Sequence, residues 1–491
     1  MVVFEVLYTA CLIVLSIYGF NNLLLTWLYL RHRHDAPSNP PSPVGWPHVT
    51  VQLPIYNERH TVERLLDAAA ALDYPRERLE IQVLDDSTDD TRGIVERALG
   101  RLRQRGVDVV HVTREERTGY KGGALAAGLV TAKGELLAIF DADFLPPRDF
   151  LRRVVPHFSD PTVGCVQTRW GHVNRDYSLF TRVQALGVDG HFVIEQTARS
   201  RARLFLNFNG TAGVWRRACV DDAGGWQGDT LTEDLDLSYR AQLSGWRIAY
   251  LPDEVVPAEL PAQISAYKRQ QARWAQGSIQ TALKMLGPLL RSNQPWAVKL
   301  EGTIHLTSYM VHPFMLLTVL LTLPMSFSSS WVLRAAPWLM ISTVGPPLMY
   351  VIAQVIQGEE WKRRIRLLPL LMLLGVGLAV NNTAAATRAL LGIKRRFQRT
   401  PKFALRYAGE TWVCSAYAPG GAPLVWGELA MGAFVAGLLV MPGTKWGFIP
   451  WLLMYVGSFG YVVVLALSQT LRRFPSCPDG PDQQQVEGNV L

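Results

Sequence analysis

The sequence predicts an α/β domain with a mostly parallel sheet, joined to an α-helical transmembrane bundle. Two observations support this fold class: short apolar strands alternate with helical segments between residues 48 and 140, and long apolar runs flank the mixed central block. Charged residues make up 18% of the chain and hydrophobic residues 49%, which excludes a disordered protein. The five cysteines form no C-x-x-C pair, so neither a disulfide framework nor a zinc site is indicated.

The first apolar run, Val6 to Leu30, is long enough to cross a bilayer and is followed by no signal-peptide cleavage site. Basic clusters lie at the edges of the apolar runs, and the positive-inside rule places them in the cytosol. The predicted divisions are, in order, an anchor (1–34), a Pro-rich linker (35–47), an α/β domain (48–261), interfacial amphipathic helices (262–300), a transmembrane hairpin (301–357), a region with an interfacial or re-entrant helix (358–424), a second hairpin (425–470) and a polar tail (471–491).

One apolar segment, Leu367 to Leu391, has basic clusters at both ends. A full crossing would place one of these clusters outside the cell, against the positive-inside rule. We therefore interpret the segment as an interfacial or re-entrant helix, which leaves five spans, and keep an ordinary sixth span as the alternative.

The chain carries 49 basic and 41 acidic side chains, a net charge of +8. A nucleic-acid partner and a membrane protein with basic cytoplasmic edges would both account for this excess. The basic residues cluster at the edges of the apolar runs, which favours the membrane and argues against nucleic acid. These clusters are Arg31–His34, Lys362–Arg366, Lys394–Lys402 and Arg472–Arg473.

Polar side chains follow three of the predicted strands: Asn57–Glu58, Asp85–Asp86 and Asp141-x-Asp143. In parallel sheets, ligands bind at the carboxyl ends of the strands. Oxygen ligands of this kind suit Mg²⁺ or Mn²⁺ together with a diphosphate. A single D-x-D is weak evidence, but carboxylates at neighbouring strand ends strengthen it. Lys121, in a glycine-rich segment, is either a phosphate contact or a solvated loop lysine.

Two further motifs have simple structural explanations. Thr232-Glu-Asp-Leu-Asp236 opens a helix, where a threonine N-cap and first-turn carboxylates are favoured by helix-end electrostatics alone. Gln270-Gln-Ala-Arg-Trp274 lies in an amphipathic stretch suited to the membrane surface. On that explanation Trp274 is an interfacial anchor and Arg273 is a lipid-phosphate contact.

Taken together and in chain order, these motifs resemble the D, DxD, TED and QxxRW series of processive family-2 glycosyltransferases, the cellulose synthase superfamily. The segment Phe397-Gln-Arg-Thr-Pro-Lys402 is similar to the FxVTPK gating loop of that family, with Arg399 in place of valine. The segments 208–213 and Glu259-Leu-Pro261 look closest to the cellulose synthase-like A and C branch, which makes mannan, glucomannan and xyloglucan backbones. The resemblance runs from about Val49 to Lys402.

The resemblance implies a GT-A-like nucleotide-sugar-binding domain in the cytosol and an inverting transfer. Asp234 is expected to be the catalytic base, with Glu233 beside it. Asp141 and Asp143 are expected to hold Mg²⁺ or Mn²⁺. The expected donor-binding residues are Tyr56, Glu58, Asp85, Asp86, Lys121, Asp141, Gln270, Arg273, Thr400 and Lys402. The expected acceptor-binding residues are Trp274, Phe208, Asn209, Gly210 and Thr211.

The resemblance further implies that the protein polymerises a β-linked glucan or mannan from UDP-glucose or GDP-mannose and secretes the chain through its spans. The expected partners are the nucleotide sugar, the growing polysaccharide and the lipid bilayer, without nucleic acid; an export partner is left open. We expect a multi-pass protein of five or six spans, with its catalytic domain in the cytosol, in a bacterial plasma membrane.

Three other classes remain for comparison. A non-processive lipid glycosyltransferase resembling ceramide glucosyltransferases shares most of the motifs but lacks the FxxTPK loop. A channel or transporter with a nucleotide-sensing domain fits the topology. A glycosidase would use two carboxylates, but it leaves the D-x-D, Lys121 and the strand-end pattern unexplained.

Overall fold

The computed structural model describes residues 1–35, 40–43, 45–328, 339, 341–393, 397–413, 415, 417–418 and 424–473. Parts of several predicted features lie outside the described residues. These are linker positions 36–39 and 44, loop residues 329–330, most of the start of the span expected from Trp331, the basic residues 394–396, the side chains of Arg472 and Arg473, and the polar tail from 474.

The central block folds around one sheet, which has seven strands within the described residues. The strands are β1 (Val49–Ile55), β2 (Leu79–Asp85), β3 (Val109–Thr113), β4 (Leu136–Ile139), β5 (Val163–His172), β6 (Gly213–Arg216) and β7 (Arg247–Ala258). Their order is β3-β2-β1-β4-β6-β5-β7. The pairs β1·β2, β2·β3, β1·β4 and β5·β7 are parallel, and β6 is antiparallel to β4 and β5. The predicted mostly parallel sheet is confirmed.

The helices alternate with the strands and then continue alone. The N-terminal helix α1 (Val2–His32) precedes the α/β block. Within the block the helices are α2 (Val62–Ala70), α3 (Thr91–Gln104), α4 (Tyr120–Thr131), α5 (Phe150–Val154), α6 (Leu179–Asp189), α7 (Thr197–Arg201), α8 (Arg217–Asp222) and α9 (Glu233–Leu243). They continue with α10 (Ile264–Arg291), α11 (Trp296–Leu306), α12 (Val311–Ser326), α13 (Gly345–Ile356), α14 (Trp361–Arg364), α15 (Leu368–Gly377), α16 (Ala379–Leu390), α17 (Val425–Val440) and α18 (Ile449–Arg473). A π-helical turn, Gly190–Gln196, joins α6 to α7.

The register of the sheet explains why the strand-end side chains meet. Strand β1 is buried along most of its length because helices cover both faces, which is why it reads as a nearly continuous apolar run. Ile55 pairs with Asp85 on one side, and Gln52 pairs with Ile139 on the other. The three parallel strands therefore end at the same edge of the sheet.

The antiparallel strand β6 adds a fourth segment to that edge. Gly213, the first residue of β6, pairs with Ile139, the last residue of β4. Because β6 runs in the opposite direction, the loop that precedes it, residues 207–212, lies where β4 ends. The predicted acceptor loop and the D-x-D segment are thus neighbours.

Four helical runs are long and apolar enough to cross a membrane within the described residues: Val2–His32, Ser308–Ser326, Trp361–Leu390 and Trp446–Leu471. The apolar helices Ile341–Ile356 and Val425–Val440, which fall in the predicted hairpins, are shorter. The run Trp361–Leu390 includes the segment that the sequence predicts to be interfacial or re-entrant. Its length alone is sufficient for a crossing, so its position relative to the bilayer stays a prediction.

Candidate active site

The loops after β1 and β2 are hydrogen-bonded to each other. Asn57 adopts a left-handed conformation with φ of 56°, and its backbone N–H donates to Ser87 Oγ at 2.9 Å. The N–H of Thr88 donates to Asn57 Oδ1 at 2.8 Å. These bonds hold Tyr56 and Glu58 at the edge where the strands end.

A single cavity of about 1100 Å³ begins at this edge and continues between the helices of the apolar bundle. It brings together most of the side chains that the sequence predicts to bind donor, acceptor or metal. These are Tyr56, Glu58, Asp86, Lys121, Asp141, Asp143, Asn209, Gly210, Glu233, Asp234, Gln270, Arg273, Trp274, Thr400 and Lys402.

Three predicted binding residues do not line this cavity. Asp85 is the last residue of β2 and is fully buried, with its carboxylate 3.2 Å from His111 Nε2 and accepting from the Ser87 N–H at 2.8 Å. Phe208 is buried edge-on against the Trp215 ring. The hydroxyl of Thr211 accepts from the Asp141 N–H at 2.9 Å. These side chains therefore support the surrounding loops, because each points into the protein rather than into the cavity.

Lys121 connects the D-x-D segment to the acceptor loop. Its Nζ lies 2.5 Å from Asp141 Oδ1 and donates to the Gly210 carbonyl at 2.8 Å. Although burial opposes protonation, the carboxylates of Asp141, Glu233 and Asp234 raise the pKa of Lys121. The lysine is therefore a fixed positive charge inside the cavity, which excludes the solvated-loop interpretation.

Gly210 is required where the loop passes the predicted base. Its φ is +82°, and a Cβ added there would lie 2.8 Å from Asp234 Oδ2. Any larger residue would be strained and would push against the carboxylate. The sequence motif around Gly210 thus supplies space for Asp234 rather than a side-chain contact.

Asp234 lies in the first turn of α9. Burial and the neighbouring Glu233 carboxylate raise the pKa of Asp234 to about 7, and Lys121, the Leu235 N–H and Arg273 oppose this shift. A carboxylate with a pKa near neutrality is suited to take a proton and to release it again.

Thr232 occupies the N-cap position of α9 but does not cap the helix with its side chain, contrary to the sequence prediction. Its hydroxyl lies 3.1 Å from Thr281 Oγ1, and the Thr232 side chain packs on Gly277, where an added Cβ would lie 2.5 Å from Thr232 Cγ2. Both partners belong to α10, so the side chain joins the helix of the base to the helix that carries Arg273.

An aromatic and cationic cluster closes one side of the cavity. The Arg117 guanidinium lies 3.4 Å from the centroid of the Tyr56 ring, and the Arg273 guanidinium lies 4.8 Å from that of Phe397. Phe397 also stacks on Tyr120 at 5.4 Å. Burial lowers the pKa of Arg273, although Glu233 and the nearby aspartates favour its charged form. Both arginines line the cavity that contains the D-x-D carboxylates, and their positive charge suits a diphosphate bound there.

The segment Phe397–Lys402 folds over the donor edge. Arg399 Nη1 is 3.0 Å from Glu58 Oε1, and Lys402 Nζ is 2.8 Å from Asp143 Oδ2. Lys402 also donates to the Glu259 carbonyl. Burial raises the pKa of Glu58 to about 7, although the positive charge of Arg399 acts to lower it. The position where the family pattern has valine thus supplies the cation that faces Glu58.

The two carboxylates of the D-x-D segment provide part of a donor set for a divalent metal. No group of three or more His, Cys, Asp or Glu side chains suited to a metal occurs in the described part of the chain. Mg²⁺ and Mn²⁺ sites of nucleotide enzymes, however, need only one or two carboxylates, with substrate phosphates and water as the other ligands. Asp141 lines the cavity with 35% of its side chain exposed, so the donor set fits a metal bound with a diphosphate.

Two arginines of the site have no counterpart among the residues predicted from sequence. Arg114 holds Asp86 through both carboxylate oxygens, at 3.0 Å and 2.5 Å, and Arg117 covers Tyr56. Both lie in the irregular loop before α4. A sequence signal that could have found them is their place directly after the predicted strand β3, at the edge of the sheet where ligands bind.

Comparison with known proteins identifies the domain that carries this site. The family described as "Glycosyltransferase like family 2" matches residues 47–277, from the approach to β1 through the QxxRW motif on α10. Residues 47–277 form a family 2 glycosyltransferase domain. The resemblance drawn from the sequence motifs is confirmed.

Two curated relatives of the glycosyltransferase domain come from plants. Glucomannan 4-beta-mannosyltransferase 2 of Arabidopsis thaliana is 44% identical over 255 residues, 51% of this chain and 48% of that protein. Glucomannan 4-beta-mannosyltransferase 1 of Oryza sativa subsp. japonica is 42% identical over 274 residues, 54% of this chain and 52% of that protein. The matched part thus spans about half the length of these relatives. Because they are plant proteins, they give no support to the expected bacterial plasma membrane.

A solved structure shares the fold of the glycosyltransferase domain. The mannosyltransferase PcManGT of Pyrobaculum calidifontis, determined in complex with GDP-Man and Mn²⁺, is 25% identical to this chain. The match covers 79% of this chain and 100% of that one, with a TM-score of 0.53. The GT-A-like fold class implied by the sequence is confirmed.

Proposed function

We propose that this protein is an inverting, processive glycosyltransferase that polymerises a β-linked polysaccharide of the mannan type from a cytosolic nucleotide sugar. The observation that carries the proposal is the continuity of one cavity, which contains the donor edge and Asp234 and extends between apolar helices. The names of the relatives, glucomannan 4-beta-mannosyltransferases, favour GDP-mannose as the donor over UDP-glucose.

The reaction is a single displacement at the anomeric carbon of the donor sugar. The acceptor hydroxyl forms the new carbon–oxygen bond as the bond to the diphosphate breaks, and the nucleoside diphosphate leaves with the bonding electrons. Asp234 takes the proton of the attacking hydroxyl, because it is the carboxylate whose pKa lies near neutrality beside the acceptor loop. Burial and the carboxylate of Glu233, the residue before Asp234, raise that pKa.

Negative charge develops on the departing diphosphate. Lys121 and Arg273 line the same cavity as Asp141, and both are held as cations by surrounding carboxylates or by an aromatic face. Fixed positive charges at this position stabilise the transition state without solvent reorganisation. A divalent cation held by Asp141 and Asp143 would supply further electrostatic stabilisation of the diphosphate.

Trp274 lines the cavity one residue after Arg273, and we assign it to stacking on the terminal sugar of the acceptor. With the glycosyltransferase domain in the cytosol, the growing chain would leave through the part of the cavity enclosed by the apolar helices. Residues Tyr8, Tyr309 and Tyr455 line that part, and their rings suit contacts with sugar faces. This arrangement is the basis for proposing processivity and secretion.

The test is incubation of the full chain, in detergent or in sealed vesicles, with radiolabelled GDP-mannose or UDP-glucose and Mn²⁺ or Mg²⁺. The expected product is a long polymer that an endo-β-1,4-mannanase degrades and that accumulates within inside-out vesicles. A single sugar on a lipid would replace the proposal by the non-processive lipid glycosyltransferase.

Metal dependence is tested on the same preparation. EDTA is expected to abolish transfer, and electron paramagnetic resonance of Mn²⁺ should show weaker binding to Asp141→Asn and to Asp143→Asn in the presence of GDP. Equal Mn²⁺ binding by wild type and both variants would remove these residues from the metal site.

A further inference from the structure

A second polar network lies in the cavity and has no part in the reaction described above. It centres on the π-helical turn Gly190–Gln196. His191 and Glu195, which this turn presents on one face, both line the cavity with 30% and 21% of their side chains exposed. The π-helix is rare and usually occurs at functional sites, since it costs backbone stability.

Buried charged side chains hold this network in place. His191 Nδ1 is 2.8 Å from Glu195 Oε2, and Arg199 Nε donates to Glu195 Oε1 at 3.1 Å. Arg199, 1% exposed, also pairs with Glu301 of α11. Although burial opposes it, His191 and Arg199 hold the pKa of Glu195 well below its usual range. The Glu195 carboxylate is therefore a fixed anion that orients the His191 ring.

On its other side the network reaches the acceptor loop. His191 Nε2 is 3.1 Å from Asn209 Oδ1, and Asn207 Nδ2 donates to the same oxygen at 3.0 Å. Asn209 directly precedes Gly210, the residue that packs beside the Asp234 carboxylate. The imidazole is therefore linked, through one loop residue, to the position of the base.

The π-helical turn also marks the start of the membrane part of the cavity. It packs against α1 and α13, and Gly190 lies directly on the Tyr350 ring of α13 with no room for a side chain. His191 thus lies between the catalytic edge and the apolar helices. An acceptor chain that leaves Asp234 for the bundle passes this point.

We propose that His191, Asn207 and Asn209 form a polar subsite that binds hydroxyl groups of an inner sugar unit of the acceptor, with Glu195 as the residue that positions the imidazole. The proposal rests on the proposed function and adds a binding site to it. Sugar hydroxyls both donate and accept hydrogen bonds, and this subsite offers an imidazole and two side-chain amides in a partly dry cavity. A stacking residue such as Trp274 holds the plane of a sugar, whereas directed hydrogen bonds fix its rotation and register.

The test measures acceptor binding apart from chemistry. In the full chain carrying Asp234→Asn, the affinities for mannohexaose, cellohexaose and GDP are compared before and after His191→Leu, which keeps the size of the side chain. Loss of the imidazole hydrogen bonds should weaken hexaose binding roughly 10- to 100-fold and leave GDP affinity within about two-fold. His191→Gln should restore part of the affinity, because its amide replaces one hydrogen bond. His157→Leu, in the same domain but outside the cavity, is the matched control.

Glu195→Gln serves as a second variant if His191→Leu does not fold, and it should also weaken hexaose binding without changing GDP affinity. Unchanged hexaose binding in both variants, or a loss of GDP binding equal to the loss of hexaose binding, would overturn the subsite. If the wild type still makes polymer, the proposed function stands. If the wild type makes no polymer and binds neither hexaose, both the proposed function and the subsite are overturned.

Discussion

Replacement of Asp234 by asparagine is the most direct test of the reaction. The amide has nearly the same volume, so the Leu235 N–H can still donate to it as it does to Asp234 Oδ1 at 2.8 Å. It cannot accept the proton of the attacking hydroxyl. Loss of a general base lowers kcat by about 10²–10⁴-fold, or about 3–5 kcal/mol of activation free energy. Donor KM should change little, because the carboxylate is not a ligand of the diphosphate.

The pKa of about 7 for Asp234 gives the pH dependence. A base must be ionised to act, so about one-tenth of the molecules are competent at pH 6 and about nine-tenths at pH 8. The rate should therefore rise roughly ten-fold across this interval. Since the Glu233 carboxylate is a cause of the raised pKa, Glu233→Gln should move the acidic limb to lower pH. Lys121→Met removes an opposing cation and should move it to higher pH.

The assay is the initial rate of sugar incorporation between pH 5 and 9, at saturating donor, for wild type and each variant. Two results would refute the reasoning. One is an Asp234→Asn enzyme that keeps more than about a tenth of the wild-type kcat, which is far above the range for loss of a base. The other is an acidic limb that stays in place in Glu233→Gln and Lys121→Met alike.

Three further substitutions test the framework of the site. Gly277→Ala drives a methyl group into the side chain and backbone nitrogen of Thr232 and should lower the free energy of unfolding by about 1–3 kcal/mol. Gly100→Ala, in open space on α3, should be neutral or stabilising, and equal unfolding midpoints would contradict this. Arg399→Val removes the positive charge that pairs with Glu58 at the donor edge and should raise the donor KM about ten-fold. A donor KM within two-fold of wild type would exclude a role of Arg399 in donor binding. Lys268→Met leaves Glu428 without its buried cation, costs about 3–5 kcal/mol and should reduce the yield of folded protein, which the double variant with Glu428→Leu should restore.

The part of the fold that sequence reasoning predicts best is the part built from local periodicity. Strands β1, β2 and β4 are short apolar runs followed by polar residues, and parallel pairing necessarily brings their ends together. The place of β6 between β4 and β5 could not be predicted in this way. It depends on a pairing between distant parts of the chain, and a four-residue strand gives little periodic signal.

Errors in the predicted site arise from single-residue geometry. Asp85 and Asp86 are adjacent, but side chains of successive strand residues point to opposite faces, so only Asp86 reaches the cavity. Thr232 has the right spacing for a cap, but its hydroxyl faces Thr281 on a helix that is remote in sequence. Motifs identify which segments meet, whereas the direction of each side chain is decided by packing that no motif contains.

The charged side chains that line the cavity affect how the donor binds. Among the described residues that line it, carboxylates outnumber lysines and arginines. The carboxylates are Glu58, Asp86, Asp141, Asp143, Glu195, Glu233, Asp234 and Glu259, and the cations are Arg117, Lys121, Arg199, Arg273, Arg399 and Lys402. Because the pKa of Glu58 and that of Asp234 are raised to about 7, these two carboxylates are only partly ionised and the cavity carries little net charge. A nucleoside diphosphate alone would make it strongly negative, whereas a divalent cation that enters with it offsets the charge of the diphosphate. The electrostatics of this chain thus favour the proposed binding of donor and metal together, at carboxylates that pair with Lys121 and Lys402.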